Sequence, residues 1–186
     1  LVGSEMCIRD RYTAVPDVTP DQGIFDEAGF NEYGVSISAT VSASANDKIQ
    51  KVDPYVKDGL AESGLTSIVL PSVKTAREGV ELIAKIVEEK GAAEGNIVTI
   101  ADKEGVWYME ILSGHQYAAI LFPEDRFAVF PNTFFLGHVD LSDTERTIAS
   151  KDLEKVAKEA NSYKEVDGKF HVCLLYTSPS PRDKRQ

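Results

Sequence analysis

Four apolar runs follow one another between residues 96 and 131, and the links between them are only about four residues long. Residues 96–101, 106–112, 117–122 and 127–131 are rich in β-branched and aromatic side chains. Asp102-Lys103-Glu104-Gly105, Ser113-Gly114-His115-Gln116 and Pro123-Glu124-Asp125-Arg126 punctuate them. A parallel connection needs a dozen or more residues to return to the start of the sheet, so links this short predict an antiparallel meander. Within the second run, Val106, Tyr108 and Glu110 fall on one side and Trp107, Met109 and Ile111 on the other. Trp107 is expected in the core, and Glu110 in a cross-strand ion pair.

Upstream of the meander, Gly34-Val35-Ser36-Ile37-Ser38-Ala39-Thr40-Val41-Ser42 alternates apolar with small polar residues. A period of two predicts a half-buried strand with Val35, Ile37, Ala39 and Val41 on one face. Thr75-Ala76-Arg77-Glu78 has the form of a capping box, in which the Thr hydroxyl accepts from a free first-turn amide and the Glu carboxylate returns to the cap amide. Val80, Ile83, Ala84 and Val87 supply the apolar stripe of that helix, and Gly91 stops it. Residues 65–73 read as a helix broken at Pro71, and residues 151–162 as a last helix with Leu153, Val156, Ala157 and Ala160 inward. Residues 16–23 and 44–64 read as loops. Strand, helices, meander and helix together predict a layered α+β domain without internal repeats.

Charge and composition narrow the function. A net charge of −10 argues against nucleic acid as a partner, because phosphate binding needs clustered Lys and Arg. No run approaches the ~20 apolar residues of a membrane helix, and no signal peptide is visible. No membrane partner and a cytoplasmic location are expected. Cys7 and Cys173 are too few for a disulfide scaffold and lack neighbours at zinc-like spacing, so no metal site is expected.

The two ends differ from the middle. Residues 1–11 have no helical or strand periodicity, and residues 173–186 are Pro/Ser-rich and then basic. Both tracts resemble translated sequencing-adapter sequence, which assigns native sequence to residues 12–172 and makes both cysteines irrelevant to chemistry.

Six segments, in order, resemble the dipeptidase A family of cysteine peptidases, members of the N-terminal-nucleophile (Ntn) hydrolases related to the secernins. They are Arg11-Tyr12-Thr13-Ala14-Val15-Pro16-Asp17, Glu27-Ala28-Gly29-Phe30-Asn31-Glu32-Tyr33-Gly34-Val35, Thr75-Ala76-Arg77-Glu78-Gly79-Val80-Glu81, Val106-Trp107-Tyr108-Met109-Glu110, Gly114-His115-Gln116-Tyr117 and Ala128-Val129-Phe130-Pro131-Asn132. The resemblance implies part of a four-layer αββα Ntn-hydrolase sandwich with antiparallel sheets. It also implies a short peptide as substrate, with no cofactor; a homo-oligomer is compatible with it. The nucleophile in such enzymes is a Cys that becomes the first residue of the mature chain, its α-amine relaying the proton. The matching position lies upstream of Tyr12, so the chain is expected to be an inactive, poorly soluble fragment with part of its sheet uncovered.

Site residues follow from the same resemblance. Asn31, in Gly-Phe-Asn-Glu-Tyr-Gly, and Asn132, after Phe130-Pro131, resemble the oxyanion-hole asparagines of penicillin V acylases and bile salt hydrolases. An amide NH2 donates to developing negative charge without changing protonation. Without the resemblance, both read as turn residues beside strands. His115 is a candidate substrate contact in its turn. A non-peptide amidase of the acylase type and a non-catalytic, secernin-like protein stand as alternative functions.

Overall fold

The structure, a computed structural model, describes residues 11–18, 25–129 and 133–177. Its centre is a seven-stranded antiparallel sheet whose spatial order equals its chain order: β1 (Tyr12–Pro16), β2 (Asp26–Asn31), β3 (Ser36–Ala43), β4 (Gly95–Asp102), β5 (Gly105–Ile111), β6 (Tyr117–Leu121) and β7 (Thr147–Ala149). Between β3 and β4 the chain leaves the sheet to build α1 (Asp47–Val52), α2 (Glu62–Val69) with the 3-10 turn Leu70–Ser72, and α3 (Ala76–Lys90). After β7 come α4 (Leu153–Glu159), the small hairpin β8 (Glu165–Val166) and β9 (Lys169–Phe170), and α5 (Val172–Tyr176). This is the α+β, antiparallel class expected from the sequence, and one sheet with its helical layer is what a partial αββα sandwich comprises.

Local chemistry explains the elements. Thr75 caps α3 as read from the sequence: its hydroxyl accepts from the Glu78 amide, and Glu78 returns to the Thr75 amide. Asp102, at the end of β4, adds a bond from the Ala76 amide to its Oδ2 at 2.6 Å, fixing the helix start over the sheet. Val80, Ile83, Ala84 and Val87 are buried, and Gly91 ends the helix with φ of +79°, a conformation that disfavours any residue with a Cβ.

The sheet has two unlike faces. Val35, Ile37, Ala39, Val98, Ile100, Trp107, Met109, Ile111 and Ala119 face α2 and α3 and form one closed core. On the opposite face, Ile97, Tyr108 and Ala118 meet Phe134, Leu136, Val139 and the inner sides of α4 and α5. That second cover is partial. Phe30 and Val106 stay 56% and 43% exposed, and Phe127 and Val129, in the chain leaving β6, are 92% and 82% exposed.

Several expectations change. Residues 127–129 are not a strand, and residues 130–131 lie outside the described residues. The neighbour of β6 is instead β7, paired from Ala118↔Ala149 to Ile120↔Thr147. The loop expected over 44–64 contains α1, capped by the Asn46 side chain, and the start of α2. Val172, Leu175 and Tyr176 in α5 are buried, and the Tyr176 hydroxyl donates to the Leu153 carbonyl at 2.6 Å.

Candidate functional site

Asn31 ends β2 just before the tight turn into β3, where Gly34 takes φ of +81°. Its side chain is 3% exposed and points to the helical face. Oδ1 accepts from the Tyr33 and Val35 amides, each at 3.0 Å. Nδ2 donates to the carbonyls of Leu70 at 2.9 Å and Val73 at 2.8 Å. Two donors on one side and two acceptors on the other fit an Asn amide in one orientation only. Asn31 therefore ties the β2–β3 turn to the end of the α2 segment, and both N–H bonds of its amide are occupied.

His115 lies at the other end of the sheet. Strand register puts the β2–β3 turn beside Ala101–Gly105, whereas the turn 112–116 lies with Gly95 and Ala43. The β3 length between them corresponds to roughly 20–25 Å. Asp53, which closes α1, organises the turn: its carboxylate accepts from the Ser113 hydroxyl at 2.7 Å, the His115 amide at 2.7 Å and His115 Nδ1 at 2.9 Å. With Nδ1 donating to the carboxylate, the neutral imidazole keeps its lone pair on Nε2. The half-exposed ring borders a cavity of about 320 Å³ with Glu88, Gln116, Ser150, Lys151 and Asp152. Asn132 lies outside the described residues.

Glu110 is a buried carboxylate that the sequence reading placed in an ion pair. None of the ion pairs among the described residues includes it. Its Oε1 instead accepts from the Tyr108 hydroxyl at 2.8 Å, the Phe135 amide, and the Leu136 amide at 3.0 Å. Its Oε2 is buried with no hydrogen-bond partner among the described residues. The sequence gives no signal for this beyond the side of β5 on which Glu110 falls. On the same face, a cavity of about 420 Å³ is lined by Thr99, Val106, Tyr108, Phe122, Glu124 and Arg126.

Burial pushes the Glu110 carboxyl up from 4.5 to about 6, with the Phe135, Tyr108 and Leu136 donors pulling partly back. The titratable groups it faces are Tyr108, on its own strand, and Cys173 of α5, both raised first by burial and so neutral near pH 7. An acid whose pKa is raised by folding holds its proton more tightly when folded. Its stabilising contribution is therefore complete below pH 4.5 and lost as pH rises through 6, about 2 kcal/mol in all. Urea unfolding of wild type and Glu110→Gln at pH 4.5 and 7.5 checks this: with the unfolded carboxyl half-ionised at pH 4.5, wild type should lose about 1.6 kcal/mol relative to the variant on going up. Parallel pH dependences would rule it out.

Cys173 is half-buried, and its thiol is pushed up by burial and then by Glu110, the reverse of an activated nucleophile. Cys7 lies outside the described residues. No helix of the described residues is long and apolar enough to cross a membrane.

Comparison with known proteins adds identity to this geometry. Residues 8–186 match peptidase family C69. The chain is 76% identical over 169 residues to the probable dipeptidase B of Streptococcus pyogenes serotype M1, an alignment covering 91% of this chain and 34% of that protein. It is 39% identical over 145 residues to a probable dipeptidase of Latilactobacillus sakei, covering 78% and 31%. A probable dipeptidase of Salmonella dublin is 37% identical over 174 residues, covering 93% and 40%. The chain thus spans about a third of the length of these Streptococcus pyogenes relatives.

Proposed function

The chain belongs to peptidase family C69, and from that premise we propose that the protein carrying it hydrolyses dipeptides through an N-terminal cysteine. The observation that supports this most is the 76% identity over 169 residues to a probable dipeptidase B. In this mechanism the cysteine thiol gives its proton to the α-amine of the same residue. Its sulfur attacks the scissile carbonyl carbon, and the tetrahedral oxyanion collapses to a thioester as the leaving amine takes the proton. Water, deprotonated by the same amine, then releases the acid and restores the thiol. A cytoplasmic setting, where thiols stay reduced, goes with this chemistry.

Asn31 and Asn132 are the proposed donors to the oxyanion. For Asn31 to serve, its bond to Leu70 or to Val73 has to be given up, so its contribution is coupled to movement of that turn. An extended dipeptide spans about 7 Å, too short to bridge Asn31 and His115. We therefore assign the chemistry to the Asn31 side of the molecule and regard His115 as a residue that fixes its own turn. Cys173, half-buried and with its thiol pushed up by burial and by Glu110, is not the nucleophile in this reading.

The test is an assay of the full-length protein on a dipeptide panel, beside a Cys→Ala variant of its first mature residue. Cleavage that falls by at least about 1,000-fold in the variant is the expected result. Cleavage of N-acyl amides with none of dipeptides would move the assignment to the acylase class. No hydrolysis of either would favour a binding role.

A further inference from the structure

The cavity beside His115 has no part in the reaction proposed above, yet its walls are polar and partly unpaired. Asp53 orients the imidazole through Nδ1, so Nε2 is the ring atom free to meet a ligand. Next to it, Gln116 is only 5% exposed, and its Oε1 accepts from the Ser150 hydroxyl at 2.8 Å. Its Nε2 donates to nothing among the described residues and is not sealed from the surface, so two N–H groups of a buried amide open onto the cavity. Charges of both signs surround that amide. Glu88, in the last turn of α3, is held by the Tyr117 hydroxyl, which donates to its Oε1 at 2.6 Å. Burial and then Glu88 itself push that hydroxyl up, so it stays a donor and leaves the Oε2 of Glu88 as an acceptor. On the segment after β7, Lys151 enters no ion pair among the described residues. Asp152 beside it has Lys155 Nζ at 3.5 Å from its Oδ1. A bare cation here would meet Lys151, and a bare anion would meet Glu88 and Asp152. A small molecule carrying both charges satisfies all three. The volume of about 320 Å³ is at the low end of small-ligand pockets.

We propose that this cavity is a binding site for a free α-amino acid, its carboxylate received by Lys151 and the Gln116 amide and its ammonium by Glu88, Asp152 and His115 Nε2. Binding stands on the charges and the unpaired amide alone. Only the further step, that the ligand is a product of the reaction, rests on the dipeptidase reading, since cleaving a dipeptide releases two amino acids.

The experiment titrates L-alanine to about 20 mM into the full-length protein carrying isotope-labelled histidine, and follows the His115 imidazole signals, assigned with a His115→Gln variant. They should shift with a Kd of about 1 mM, the strength that a ligand of so few atoms supports. Because His115 lies roughly 20–25 Å from Asn31, L-alanine held on the Asn31 side does not mimic this shift. Propionate and ethylamine, each carrying one of the two charges, should bind at least about tenfold more weakly. Lys151→Glu reverses an exposed cation without touching the core, and should weaken L-alanine at least about tenfold. Gln116→Met, which keeps the length and loses the N–H groups, should do the same. Lys103→Glu, in the turn at the opposite end of β4, should leave Kd within about twofold. His115 signals that stay still up to about 20 mM would overturn the proposal. So would equal affinity for propionate or ethylamine, or an unchanged Kd in Lys151→Glu. If the wild-type protein cleaves no dipeptide, the dipeptidase reading alone fails, and the same titration still decides this site.

Discussion

Replacing Asn31 with alanine should destabilise the chain by about 4 kcal/mol, the largest loss expected from any single side chain described above. The substitution removes four hydrogen bonds at a site 3% exposed. It leaves the Leu70 and Val73 carbonyls and the Tyr33 and Val35 amides to find new partners. Each buried group left unsatisfied costs about 1–3 kcal/mol. One water entering the vacated volume recovers part of that, which is why the figure lies well below the sum. Asn31→Asp should be at least as damaging, because a carboxylate oxygen would then face two carbonyl oxygens in a buried site. Thermal unfolding by circular dichroism checks both, with an expected fall in Tm of roughly 8–16 °C. A Tm within about 2 °C of wild type would mean that the two elements are held together by something else.

Gly114→Ala should cost at least ~3 kcal/mol, for a different reason. A Cβ at this position would overlap the Pro54 carbonyl oxygen and stand 3.0 Å from Asp53 Oδ1. The Pro54 oxygen is backbone, and the Asp53 carboxylate is held in place by three hydrogen bonds from Ser113 and His115. The Gly114 amide donates to the Asp53 carbonyl at 3.3 Å, and its own carbonyl accepts from the Ala92 amide at 2.7 Å. Three backbone segments therefore meet at Gly114: the end of α1, the residue after the α3 stop, and the β5–β6 turn. Relieving the overlap means moving the turn away from Asp53, which would loosen its bonds to Ser113 and His115. The expected readouts are a Tm lowered by roughly 6–12 °C and changed His115 imidazole resonances. Wild-type values of both would show that the turn shifts without penalty.

Much of the architecture was legible where periodicity and punctuation agree. α3 carries its cap, its stripe and its stop within one stretch, and β4, β5 and β6 are long enough to show their alternation between tight turns. Short elements were not. Residues 127–131 alternate apolar positions and look like a strand, but the place beside β6 is taken by Thr147–Ala149, too brief for any period to show. That choice is made by long-range contacts: the Leu121 amide donates to the Arg146 carbonyl, and Arg77 of α3 donates to the carbonyls of Thr144 and Glu145. β2, Asp-Glu-Ala-Gly-Phe-Asn, has neither the composition nor the pattern of a strand and exists because β1 and β3 pair with it. Of the candidate site, sequence picked out Asn31 and His115 as unusual. It could not give the Leu70 and Val73 carbonyls that engage the first, or the Asp53 carboxylate that orients the second, because those partners lie 39 to 62 residues away. Glu110 escaped for the same reason.

The order of the strands also governs how such a chain reaches its final shape. Tight turns close β2 on β3, β4 on β5 and β5 on β6, so each of these ladders can zip locally. The seam between β3 and β4, running from Ser36↔Ala101 to Ala43↔Gly95, forms only when the whole excursion of residues 44–94 has been looped out. Loop-closure entropy rises slowly with length, but it has to be met before the seam contributes anything. The molecule is in this sense two ribbons, one from β1 to β3 packed under α2 and one from β4 to β7 packed under α3, joined along the β3–β4 seam.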